Sequence, residues 1–260
     1  MMCSIDLNCD LGESFGHYQL GDDAAMMDYV SSVNIACGFH AGDASVMRRT
    51  VALAVEKQVA IGVHPGLPDL QGFGRRAMQI STNEAYEICL YQIGALYAFV
   101  KAAGASIHHL KPHGALYHMA AVDLEIALAI GQAMVDFDGD MMLYGLPGSK
   151  MEEGSKQLGL RFVGEAFADR RYEADGMLVS RAKPNALIDD TDEALRQVLM
   201  LAKEKKVLSV ENCSISLRAQ TICLHGDGKR ALDFAKAVHA RLWAEGITIE
   251  AISKSQRNQP

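Results

Sequence analysis

Leu110-Lys111-Pro112-His113-Gly114-Ala115-Leu116-Tyr117 shows the pattern on which the chain is built. A short apolar run ends, and a histidine flanked by proline or glycine follows at once. The pattern returns three times. Residues 33–39 lead into His40-Ala41-Gly42-Asp43, residues 60–63 into His64-Pro65-Gly66, and residues 221–224 into His225-Gly226-Asp227. A fifth run, residues 5–9, carries Asp6 and Asn8 and is followed by Asp10. Strand side chains alternate between faces, so these three share one face. If the runs are parallel strands of one barrel, the polar groups gather where the strands stop, at the end where such barrels keep their active sites.

Between these runs lie helical stretches. Asp43 is placed to cap a helix over 44–57. Residues 82–103 form the longest helical stretch, and Gly104 ends it. Further helices are expected over 122–135, 191–205 and 228–245, with strands at 107–110, 141–144 and 161–164. Alternating strands and helices imply parallel pairing through crossovers. An open doubly wound sheet would place its ligand at one switch point. Polar residues at five strand ends favour instead an α/β fold of the distorted seven-stranded (β/α) barrel type. Residues 1–252 are expected to form one barrel domain and 253–260 a polar, disordered tail.

The chain has 260 residues, about half of them apolar, and a formal net charge of −7 with acids and bases interspersed. That balance argues against a nucleic-acid or anionic-membrane surface, which needs clustered Lys and Arg. No apolar stretch approaches the roughly 20 residues of a membrane span. Six cysteines form no CxxC pair, so reduced core thiols and a cytoplasmic location are expected.

Four strand-end histidines suit metal binding or proton transfer near neutral pH, although a lone histidine there is commonly a structural hydrogen-bonder. Asp10 and Glu13 fit turn and cap chemistry as well as catalysis; mid-strand Asp6 does not. Lys111 either neutralises a bound carboxylate or phosphate or forms a core ion pair. Glu165, Asp169 and Arg170 fit a substrate clamp, and Asp227 fits a ligand or a histidine-orienting group. Residues 64–76, rich in Gly and Pro, make a loop long enough to be functional. Gly145-Leu146-Pro147-Gly148-Ser149-Lys150 lacks the GxxxxGK order of a P-loop.

The stretches Asp6-Leu7-Asn8-Cys9-Asp10-Leu11-Gly12-Glu13, Asn34 to Asp43, His64-Pro65-Gly66, Gly72-Phe73-Gly74-Arg75-Arg76, Lys111 to Tyr117 and His225-Gly226-Asp227 together resemble the LamB/YcsF family. The resemblance implies a barrel similar to those of polysaccharide deacetylases and related glycosidases. It implies ATP-coupled hydrolysis of 5-oxoproline to glutamate, with ATP as co-substrate and subunits B and C as partners. With that chemistry, Asp10, His40, His113 and Lys111 are the candidate catalytic groups. Asp6, Asn8, Glu13, His64, Arg75, Glu165, Arg170, His225 and Asp227 are candidates for substrate binding. A divalent metal would draw on Asp6, Asp10, His40 and His113. A metal-dependent hydrolase such as a carbohydrate deacetylase, and a non-catalytic binding subunit, remain the alternatives.

Overall fold

The computed structural model describes residues 4–226, 228 and 230–254. In chain order the first half comprises β1 (Ser4–Leu11), α1 (Asp23–Met26), β2 (Ser32–Ala36), α2 (Ala44–Glu56), β3 (Ala60–His64), α3 (Thr82–Ala102), β4 (His109–Leu110), α4 (Gly114–Val122) and α5 (Leu124–Asp138). The second half comprises β5 (Met142–Gly145), α6 (Lys150–Leu158), β6 (Arg161–Phe167), α7 (Thr191–Glu204), β7 (Lys206–Leu208), β8 (Ser214–Ser216), β9 (Thr221–His225), α8 (Ala231–Ala244) and β10 (Thr248–Ile249).

Seven parallel strands close on themselves in the order β1-β2-β3-β4-β5-β6-β9, and β9 returns to β1. Register places Asp10 beside both Asn34 and His225. Short β10 pairs with the start of β1, Ser4 opposite Thr248. Residues 247–252 therefore contribute only a two-residue strand. The expected disordered tail falls largely on 255–260, outside the described residues.

The strand pattern explains the closed shape. Ile5, Leu7, Cys9 and Leu11 of β1 are buried, and so are the alternating Asp6, Asn8 and Asp10. One set belongs to the hydrophobic core under the helices; the other builds a polar barrel interior. The helices form the outer layer, with α3 against α5, α5 against α6 and α7 against α8. Helix α3 is set by a capping box: Ser81 and Glu84 satisfy each other's backbone amides. Its inner face buries Ala85, Cys89, Ile93, Leu96 and Val100, and each large aliphatic there contributes about 1.5–3 kcal/mol. Cutting Leu96 back to alanine is expected to cost about 2–5 kcal/mol.

Several boundaries differ from expectation. Strand β6 runs on to Phe167, so Glu165 lies within the strand and not after it. Helix α4 starts directly after His113. The antiparallel pair β7–β8 occupies the stretch before β9. Residues 177–179 make only a single bridge to the preceding segment, Tyr172 to Leu178.

Candidate active site at the barrel mouth

The barrel interior is a ladder of polar side chains, and its lowest rung is Asp6. Its carboxylate accepts hydrogen bonds from Ser31 Oγ at 2.6 Å, Ser32 Oγ at 2.8 Å, Thr221 Oγ1 at 2.6 Å and the Tyr144 hydroxyl at 3.0 Å. Burial raises its pKa, and those hydroxyls only partly offset the rise. Asp6 is thus a structural hub tying four segments together. It is not brought to the mouth with the other candidates, and its oxygens are already engaged, which removes it from the substrate and metal sets.

Asn8 forms the next rung. Its amide donates to Glu165 Oε1 at 3.1 Å and to Thr221 Oγ1 at 2.8 Å, and its carbonyl accepts from Asn34 Nδ2 at 2.7 Å. Asn34 also donates to Asp10 Oδ1 at 2.8 Å. Asn8 therefore positions acids and does not face open space. Glu165 is buried in the same layer.

Lys111, leaving β4, crosses the barrel. Its ammonium lies 2.7 Å from Asp10 Oδ1, 3.1 Å from Glu165 Oε1 and 2.9 Å from Cys223 Sγ. Of its two sequence readings, the core ion pair is the one the geometry supports: three partners occupy a cation assigned to substrate. Burial works against its charge, but Asp10, Cys223 and Glu165 more than compensate, and its pKa stands well above the usual lysine value. Burial likewise pushes Asp10 up, yet His64 and Lys111 override it and hold Asp10 well below the usual carboxylate range. Burial keeps Glu165 raised in spite of Lys111. The two acids are thereby differentiated, Asp10 held low and Glu165 raised.

Above Asp10 sit three histidines. The His40 and His113 rings stack at 3.7 Å, and His64 meets both edge-on at 5.3 and 4.8 Å. Glu13 Oε1 lies 3.3 Å from His40 Nε2 and 3.5 Å from His113 Nδ1. Burial holds His40 and His113 well below the usual histidine pKa, with His64 adding to both shifts. These four side chains offer ligand atoms within 4.8 Å of one another and could hold a metal ion. The 64–76 loop makes the cluster possible. A Cβ on Gly66 would stand 2.4 Å from His40 Nδ1, so only glycine lets the backbone lie against that ring. Gln92 of α3 fixes this glycine, accepting from its amide at 3.0 Å and donating to its carbonyl at 2.9 Å.

A pocket opens above the cluster. Asp10, Glu13, His64, Lys111 and His113 line its floor, and Arg75, Arg170, Arg181, His118, Phe167 and His225 line its walls. Arg170 is buried, with Nη2 donating to the Val179 carbonyl at 2.7 Å. His225 is held between Asp169, 2.8 Å from Nδ1, and Arg181, 3.0 Å from Nε2. Asp169 therefore orients the histidine, a role the sequence offered to Asp227, which lies outside the described residues. His118 is lowered to about 4 by burial and by Arg170 and Arg181, so it is neutral at pH 7. The arginine rim can bind a small anion, and the ionised carboxylate can take a proton from a water.

The sequence reading missed Asn34, Tyr117, His118, Phe167, Arg181 and Cys223. Asn34 carried the same signal as Asn8, a polar residue between apolar strand neighbours. Tyr117 ended the opening motif itself. Arg181 had no local signal, because it reaches the pocket from an irregular segment.

A LamB/YcsF family model matches residues 5–257. A relative from Tolumonas auensis, named as the A component of 5-oxoprolinase, is 57% identical over 251 residues, covering 96% of this chain and all of its own. The solved lactam utilization protein of Thermus thermophilus superposes with a TM-score of 0.91 at 44% identity, over 96% of this chain and all of that one. The catalytic domain of a peptidoglycan N-acetylglucosamine deacetylase from Eubacterium rectale shares the barrel alone, with a TM-score of 0.51 at 9% identity over 97% of this chain and 91% of that one. Matched over nearly its whole length by family model, relative and structure, the chain belongs to the LamB/YcsF family.

Proposed function

We propose that the chain is the A component of an ATP-dependent 5-oxoprolinase, which with subunits B and C opens 5-oxo-L-proline to L-glutamate. The observation that carries this reading is the mouth pocket, where Asp10 is ionised beneath Arg75, Arg170 and Arg181. The names of its full-length relatives point the same way.

The substrate is a small carboxylate with a resonance-stabilised lactam. The arginine rim suits its carboxylate. Phosphorylation of the amide oxygen by ATP, with release of ADP, makes the ring carbon electrophilic. Water adds there and the ring nitrogen leaves as the protonated amine, giving an acyl phosphate. From this a second water releases glutamate and a phosphate that carries the amide oxygen. In this scheme Arg75 and Arg170 offset the charge of the phosphorylated oxygen. Asp10 takes the proton from the attacking water, with Lys111 holding its carboxylate in place. His40 and His113 shape the floor as neutral rings. No P-loop is present, so the closed assembly completes the triphosphate site and excludes bulk water. We place this assembly in the cytoplasm. The described cysteines, Cys9, Cys37, Cys89, Cys213 and Cys223, are all free. Among the described residues no helix is long and apolar enough to cross a membrane.

The test is isotopic. With 5-oxoproline labelled with ¹⁸O at the lactam carbonyl, the assembled subunits should release labelled inorganic phosphate. Unlabelled phosphate alongside glutamate formation would rule out this activation. A second reading, a metal-dependent hydrolase acting alone, is favoured by the Glu13–histidine cluster; it predicts ring opening or deacetylation by the isolated chain without ATP.

A further inference from the structure

We propose that Glu13, His64 and His113 bind one divalent first-row transition-metal ion, best fitted by Zn²⁺, on the floor of the mouth pocket. The site does not depend on the ring-opening reading.

Two ring hydrogens are fixed by the backbone. His64 Nδ1 lies 2.7 Å from the Lys111 carbonyl, and His113 Nε2 lies 2.8 Å from the Phe73 carbonyl. A carbonyl only accepts, so each of these nitrogens carries its ring's hydrogen. The remaining nitrogens, His64 Nε2 and His113 Nδ1, hold lone pairs and face each other at 2.9 Å. In neutral rings held this way no hydrogen lies between them. Carboxylate oxygens flank the pair: Glu13 Oε1 is 3.5 Å from His113 Nδ1, and Asp10 Oδ2 is 3.4 Å from His64 Nε2. Four electron-pair donors converge, and the partner they call for is a cation. A backbone carbonyl on the far ring nitrogen is the support that metal-binding histidines ordinarily have.

A shared proton would bridge the two nitrogens alone and leave the flanking carboxylate unengaged. A divalent ion engages the carboxylate as well. Zinc bonds of about 2.0–2.2 Å in a tetrahedral arrangement separate neighbouring ligand atoms by about 3.3–3.5 Å. The 2.9 and 3.5 Å spacings here need only small adjustment. His40 is not a ligand in this set. An imidazole binds metal in its own plane, and the His40 plane lies parallel to that of His113, 3° apart and stacked at 3.7 Å. His40 instead supports Glu13 through Nε2, and its buried Nδ1, packed on Gly66, has no hydrogen-bond partner among the described residues. Two imidazoles and a carboxylate favour transition metals over Mg²⁺ or Ca²⁺. Three protein ligands leave a position open, as in catalytic zinc sites, beside Asp10 in the pocket. Asp10, Cys223 and His225 also lie close together, but Lys111 contacts the thiol and the Asp169–Arg181 pair occupies both His225 nitrogens.

The experiment titrates the full chain with Co²⁺ after chelator treatment, following ligand-field absorption and checking the fold by circular dichroism. The proposal predicts saturation at one equivalent, one-for-one displacement by Zn²⁺, and a higher thermal midpoint with Zn²⁺. His64→Ala and His113→Ala should abolish the bands. Because those variants risk misfolding, Glu13→Gln and His40→Gln provide near-isosteric tests. Glu13→Gln should weaken binding by at least about tenfold, and His40→Gln by about 10–100-fold, the range for an outer support. His17→Ala, on the exposed surface, should bind as the parent does. Absence of saturable bands in the folded parent, or equal binding by folded Glu13→Gln, overturns the proposal. So does an imidazolium at His64 or His113 seen by nitrogen NMR at pH 7.5 in protein that takes up no Co²⁺.

Discussion

Replacing Lys111 with methionine keeps its length and removes its charge. Its ammonium is buried and stands between two acids, 2.7 Å from Asp10 and 3.1 Å from Glu165. Removing one partner of a buried ion pair costs about 3–5 kcal/mol, because the other is left charged and desolvated. At roughly 2–4 °C per kcal/mol for chains of 150–250 residues, the thermal midpoint should fall by roughly 6–20 °C. The deficit should also depend on pH. Without the cation, burial raises the folded-state pKa of Glu165 still further above its unfolded value, and Asp10 loses one of the groups that hold it low. A raised carboxyl pKa confers stability at low pH that is lost as pH rises through it. Lys111→Met should therefore lie closer to the parent at pH 5 than at pH 8. The parent loses nothing from Lys111 across that interval, because its own pKa is raised above the usual 10.5. Thermal melts followed by circular dichroism at both pH values measure this, with Lys57→Met, a half-exposed surface pair, as a control expected to change little. A Lys111→Met midpoint within 2 °C of the parent at pH 8 would refute the ion-pair account.

Other outcomes follow from the same geometry. Asp10 is held below its ordinary 3.8, so it contributes stability above about pH 4 that is lost as pH falls toward its folded value; Asp10→Asn should show a flatter acid limb in denaturant titrations from pH 5 to 2. In the assembled enzyme the same variant should lose about a hundredfold or more in kcat, the usual cost of removing a general base. Gly66→Ala places a Cβ 2.4 Å from His40 Nδ1 and should destabilise by about 1–3 kcal/mol, read by urea unfolding. Arg170→Gln should raise KM for the anionic substrate more than it lowers kcat, as steady-state kinetics will report.

The barrel was legible because its signals are local. Each strand announces itself within a few residues, and a histidine beside glycine or proline marks four of the strand ends. The alternation of Asp6, Asn8 and Asp10 along β1 placed them correctly on the inner face. It did not give their heights. Asp6 sits low because Ser31, Ser32, Tyr144 and Thr221, from remote parts of the chain, converge on it. Lys111 kept two readings open because Asp10 and Glu165, which lie on either side of it, are distant from it in sequence. The Asp169–His225 pair joins residues 56 apart in sequence. Helix α4 escaped notice because Pro112-His113-Gly114 reads as a turn and the helix is apolar on most sides. The β7–β8 pair is too short to show alternation, with three residues in each strand.

The proposed ring opening takes place only within an ATP-consuming assembly. The direct measurement is glutamate released from 5-oxoproline in the presence of ATP, by the purified chain alone, by partner subunits B and C alone, and by all three together. Glutamate should form only in the complete mixture, and Asp10→Asn should suppress it there about a hundredfold or more. Full turnover by the isolated chain would contradict the need for an assembly, and undiminished turnover with Asp10→Asn would contradict the site.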